Sequence, residues 1–243
     1  MTNYDLEELN KYMFSMENLK KIEYNVNDTL KPVVKNKIMS RQLTTVGHSA
    51  DFLFLKEKDT LFWCYYIIKN GITSYQVLMN NTFKEEKTIK IELVETIRDN
   101  KELLKKHKWK RDIMECDIWS ATTINIQTFM CICAISKLNI AIVKSNYMCI
   151  QENNPGTETN IIVEDGNKYK LCILDRDEKK DLIEKYVKTK WIVDNISKPL
   201  LAISAYKLLT LQEIATKLKI PILDENDKRL RKDKLYNLIK STI

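Results

Sequence analysis

Residues 138–151, LNIAIVKSNYMCIQ, and residues 160–174, NIIVEDGNKYKLCIL, carry the period that decides the fold. Each holds two short runs rich in Ile, Val, Tyr and Cys, the composition of half-buried or buried strands. LNIAIV and NYMCIQ meet around Lys144 and Ser145 and read as a strand pair. NNPG is a turn. NIIVE and KYKLCIL are joined by Asp165-Gly166-Asn167, residues that accept the left-handed dihedrals of a tight hairpin. The expectation is a small antiparallel sheet of four strands.

Outward from the sheet the period becomes helical. DTLFWCYYIIKN, residues 59–70, is apolar almost all round, with Asp59 placed to cap its start and Gly71 just past its end. Such a helix belongs in the core. A longer helix is expected over residues 82–107, another over 126–137 and a third over 177–188. Residues 5–22 also repeat apolar side chains at three- and four-residue steps, and Pro32 discourages helix over residues 23–37. The fold class is therefore α+β: an N-terminal helix and irregular arm (1–45), a helix-rich central domain with its small sheet (46–198), and a C-terminal module (205–243).

That module is YKLLTLQEIATKLKIPILDENDKRLRKDKLYNLIKSTI. Thr210 and Glu213 have capping-box spacing, and Leu211, Ile214, Ala215 and Leu218 form one stripe. Pro221 ends the helix. A second helix places Leu230, Leu235, Leu238 and Ile239 on one face. Lys228, Arg229, Arg231, Lys232 and Lys234 gather where it begins, and ammonium groups beside a helix N-terminus suit phosphate. Helix, extended link and K-x-x-L-x-x-L-I resemble SAP modules and the N-terminal module of Rho factor. The resemblance implies DNA binding, with most contacts to phosphates.

The order of elements around Thr60–Tyr65 and EDGNKYKL resembles papain-like folds of the OTU deubiquitinase kind, which implies a helix-opening nucleophile and a late-strand base. Thr60 stands where that family has its Cys, and Lys168 where it has its His. Cys64 lies one turn deeper, and His48 and His107 are the only histidines. The residues left for a catalytic pair are Cys64 and His48. The resemblance accordingly implies an inactive relative of the fold, or else a cysteine peptidase acting on a ubiquitin-like or other protein partner. DTLFWCYYIIKNG with a terminal SAP-like hairpin also resembles SAP-domain-containing proteins of nucleocytoplasmic large DNA viruses. That implies a host-cytoplasmic virus factory or the virion, where a structural role is the third reading.

Composition narrows the classes further. The chain has 243 residues and a formal charge of +7, which suits a polyanionic partner. No stretch reaches the roughly 18 apolar residues of a membrane helix, and the polar, acidic start does not read as a secretory signal. The expectation is a non-secreted protein with no membrane partner. Six cysteines include no C-x-x-C pair and have no nearby His, so neither zinc nor a disulfide framework is expected. Four glycines leave no phosphate-binding loop, so no cofactor is expected. Glu85-Glu86 and Asp175/Asp177 lie among Lys and Arg and read as exposed charge. KELLKKHKWKR, residues 101–111, reads first as a solvated helix end with Trp109 packed inward. Cations interleaved with an aromatic are also what single-stranded nucleic acid requires.

Overall fold

The computed structural model describes residues 48–49, 51–78, 82–223 and 228–243. The helix expected at 5–22 and the arm to residue 45 lie outside the described residues. The strands are β1 (His48–Ser49), β2 (Phe52–Phe54), β3 (Asn139–Val143), β4 (Tyr147–Gln151), β5 (Thr159–Asp165), β6 (Lys168–Cys172) and β7 (Trp191–Ile192). The helices are α1 (Thr60–Asn70), α2 (Ile72–Leu78), α3 (Thr82–Asp99), α4 (Lys101–Lys106), α5 (Arg111–Ser120), α6 (Ile126–Ile135), α7 (Arg176–Thr189), α8 (Leu208–Lys217) and α9 (Lys232–Thr242).

The four expected strands form, and so do both expected hairpins, β3 with β4 and β5 with β6. The sheet is nevertheless mixed rather than antiparallel, in the order β1-β2-β6-β5-β3-β4-β7. β5 runs parallel to β3, and β7 parallel to β4. The cause is the link 152–158, which takes the chain from the end of β4 past the start of β3 to its other side. Asn139, 2% exposed, holds that link. Its Oδ1 accepts the amides of Asn153 (2.7 Å) and Asn154 (2.8 Å). Its Nδ2 donates to the Asn154 carbonyl (2.8 Å) and to Thr157 Oγ1 (2.9 Å). Both ends of a buried amide are thus satisfied, as burial requires.

Because strand side chains alternate, the sheet builds two cores. Ile140 and Ile142 of β3 join Leu53, Cys149, Ile162 and Leu171 against α1, α3, α5 and α6. Ala141 and Val143 join Met148, Ile161 and Cys172 on the other face, where Leu182, Ile183, Tyr186 and Val187 of α7 pack. All five residues of β3 are buried, which explains the unbroken apolar run.

The helix expected over 82–107 divides at Asn100 into α3 and α4. Three helices end alike, with lysine in the left-handed region: Lys108 (φ 57°), Lys137 (φ 55°) and Lys219 (φ 57°). In each, the lysine amide and the next one bond back into the last turn. Trp109 N reaches Leu104 O (2.9 Å), Leu138 N reaches Cys133 O (2.9 Å), and Ile220 N reaches Ala215 O (2.8 Å). This is the Schellman stop, usually made with glycine. Among the described residues no helix is long and apolar enough to cross a membrane.

Candidate nucleic-acid interface

The C-terminal segment holds two helices, α8 and α9. α8 begins at Leu208 with Lys207 in the cap position, three residues earlier than the Thr210/Glu213 spacing predicts. Thr210 therefore sits inside the first turn and makes no capping box; the helix is positioned by burial of Leu211, Ile214 and Ala215 instead. After the stop at Lys219, Ile220 and Pro221 belong to no helix or strand and the chain bends at Ile222. Leu223 bridges Arg229, and Leu230 N donates to Ile222 O at 2.9 Å. α9 buries Leu235 and Ile239, whereas Leu238 is 39% exposed.

These side chains share one core with the sheet. Asn146 Nδ2 donates to Thr242 O (2.7 Å), and Tyr236 OH donates to Leu201 O (2.8 Å). Residues 205–243 are thus integral to the compact unit of residues 46–243, not a module hung from it.

The five expected basic residues fall within seven residues, in the return at the Leu223–Arg229 bridge and the first turn of α9. Lys228, Arg229, Arg231 and Lys234 are exposed and Lys232 is half-buried. Among the described residues Arg229, Arg231, Lys232 and Lys234 form no ion pair. Arg231 occupies the cap position of α9 without any side-chain cap, so the first amides of the helix open onto the same basic surface.

The second expected site is arranged differently. Cys64 is 0% exposed in α1, flanked by Trp63 and Tyr65. Burial, then the charge of Asp59, pushes its thiol far above the ordinary range. A nucleophile needs an accessible thiolate, and Cys64 offers neither access nor thiolate. His48 lies in β1, its backbone opposite Leu53 of β2. Of the two positions that the OTU resemblance aligns, Thr60 bonds to the neighbour of the other and not to Lys168 itself. Thr60 Oγ1, at the first residue of α1, accepts the Tyr169 amide at 2.9 Å, one residue after Lys168 on β6. Neither of those positions holds a thiol or an imidazole.

Sequence reading gave Asp59 as a helix cap, and Phe62 N does donate to Asp59 Oδ1 at 3.2 Å. It missed the partners of Asp59. Oδ2 takes Lys90 Nζ (2.8 Å) and the Ile124 amide (3.2 Å), and Lys90 also meets Glu86 at 2.8 Å. The i,i+4 spacing of Glu86 and Lys90 is visible in the sequence, but no spacing ties Lys90 to residue 59. Compared with family models, with curated proteins and with solved structures, the chain matches none.

Proposed function

We propose that this protein binds DNA through the basic return and first turn of α9, with the sheet and its helices as a non-catalytic scaffold. The observation that carries the reading is that Lys228, Arg229, Arg231, Lys232 and Lys234 fall within seven residues at the start of α9, all but the half-buried Lys232 exposed. Cations so placed meet phosphates, and the helix dipole adds to them. The scaffold is read as an inactive relative of papain-like OTU folds, a reading supported by the order of elements and by the bond from the Tyr169 amide to Thr60, with Thr and Lys where that family has Cys and His. The virus-factory or virion setting rests on the resemblance of the sequence alone. Sealing of Cys64 leaves the peptidase reading without an observation in its favour.

The test is duplex DNA binding across a salt series, comparing the full chain with a variant carrying Gln at residues 228, 229, 231, 232 and 234. Deleting residues 205–243 is unsuitable, because it would open the shared core. The variant is expected to bind at least about tenfold more weakly and with a shallower dependence on salt, since each lost phosphate contact removes about 0.9 from the logarithmic slope. Equal affinity and slope for the two proteins would refute the reading.

A further inference from the structure

The α4–α5 junction is a second concentration of positive charge, and it is built differently from the first. Lys101, Lys105, Lys106, Lys108 and Lys110 are all exposed, and Glu102 is the single acid among residues 101–111. None of the five lysines forms an ion pair among the described residues. By contrast, Arg111 pairs with both Asp112 and Glu115 at 3.3 Å, and the lysines of α7 alternate with acids. The dipole of α4 accounts for Lys105 and Lys106 in its last turn. It does not account for Lys108 or Lys110, which lie beyond the helix.

The Schellman stop fixes the geometry of this corner. Lys108 in the left-handed region folds the chain back so that Trp109 N reaches Leu104 O at 2.9 Å. That reversal stacks the rings of His107 and Trp109, with centroids 4.4 Å apart and planes 13° from parallel. Both rings are half-buried, Trp109 against the core. A two-ring stack held by backbone bonds thus lies in a stretch with five exposed lysines that form no ion pair among the described residues. Bases stack on such rings while the backbone phosphates follow the cations. A duplex covers its base faces and cannot use the rings; a single strand can.

We infer that the α4–α5 corner is a second nucleic-acid contact, for single strands, separate from the duplex-binding surface proposed at α9. It does not depend on that proposal. The experiment measures oligothymidylate and duplex binding by the full chain in three forms: unchanged, with Gln at residues 105, 106, 108 and 110, and with Gln at the five α9 positions. The corner variant should lose at least about tenfold in single-strand affinity, and the salt slope should fall by about 3, four contacts at about 0.7 each. Its duplex binding should change far less. His107→Ala, which removes one ring and no lysine, should weaken the single strand several-fold by lost stacking. Unchanged single-strand affinity in the corner variant overturns the inference, and equal losses on both nucleic acids overturn the assignment to single strands. The α9 variant reads the other surface independently, so either site can fail alone. All of these side chains are exposed or half-buried, and the unfolding transition of each variant verifies that the fold is retained.

Discussion

Lys90 Nζ lies 2.8 Å from Asp59 Oδ2, and both residues are buried. Asp59 caps α1, Lys90 comes from α3, and the Ile124 amide on the same carboxylate ties in the segment before α6. Burial pushes the Asp59 carboxyl up, while hydrogen bonds to Asp59 and Glu86 outweigh burial at Lys90 and keep its ammonium charged. Removing one partner strands the other: Lys90→Met or Asp59→Ala should each cost about 3–5 kcal/mol in urea unfolding. The double variant Asp59→Ala/Lys90→Met should cost less than the sum of these two singles. Strict additivity would show that the two groups do not act as a pair.

Asn139 decides on which side of β3 the chain places β5. Asn139→Leu keeps the branched shape and loses five hydrogen bonds, leaving the amides of Asn153 and Asn154 without their acceptor. The expected loss is about 3 kcal/mol or more, at 1–3 kcal/mol per stranded buried group. Asn139→Asp retains the acceptors and should fall between the two. Chemical denaturation of the three proteins gives the order.

The lysines at helix stops hold a conformation that glycine adopts without strain. A left-handed lysine costs about 1–2 kcal/mol, of which the greater backbone freedom of unfolded glycine takes back about 0.5–1. Lys137→Gly should therefore raise stability by roughly 0.5–1 kcal/mol, read as a higher denaturation midpoint. A lower midpoint would mean that the Lys137 side chain does more than end α6.

Burial, then the neighbouring charge of Lys106, holds the His107 imidazole below its ordinary value of 6.5. As pH falls through 6.5 the unfolded chain takes up the proton first, so stability drops until the folded imidazole is also protonated. Above that window His107 contributes no pH dependence. Between about pH 7 and pH 5 the unchanged protein should lose stability faster than His107→Gln. Parallel curves for the two proteins would remove His107 from the account.

Of the six cysteines only Cys116 is exposed. Burial pushes the Cys131 thiol to about 12 and that of Cys149 to about 11. A thiol reagent on the native protein should therefore label one site quickly, and Cys116→Ala should abolish that phase. A ubiquitin-type electrophilic probe should form no adduct at Cys64. Adduct formation there would return the peptidase reading.

Much of the architecture was legible because it depends on neighbours in sequence. The Asp59 cap, the Gly71 boundary and the Asp165-Gly166-Asn167 hairpin are each set by side chains within a few residues. So are the unbroken run of β3 and the stripes of α8 and α9, since burial of one face imposes its own period. The expected Thr210 cap failed for a reason of the same scale: burial of Leu211 and Ile214 sets where α8 lies, and a surface hydroxyl does not outweigh it. α2 and α5 were not foreseen, and neither were the short β2 and β7, because each is fixed by what it packs or pairs with and is too brief to show a period.

The sequence by itself determined the long helices and the four central strands, and where the positive charge is concentrated. Only the tertiary structure decided that the sheet is mixed, since that depends on a seven-residue link anchored on one buried asparagine. It alone brought Thr60 to the Tyr169 amide, joined Asp59 to Lys90, and merged the C-terminal hairpin with the sheet core. Each of these joins residues far apart in the chain, and local preference carries no information about such pairs; packing and buried hydrogen bonds select them.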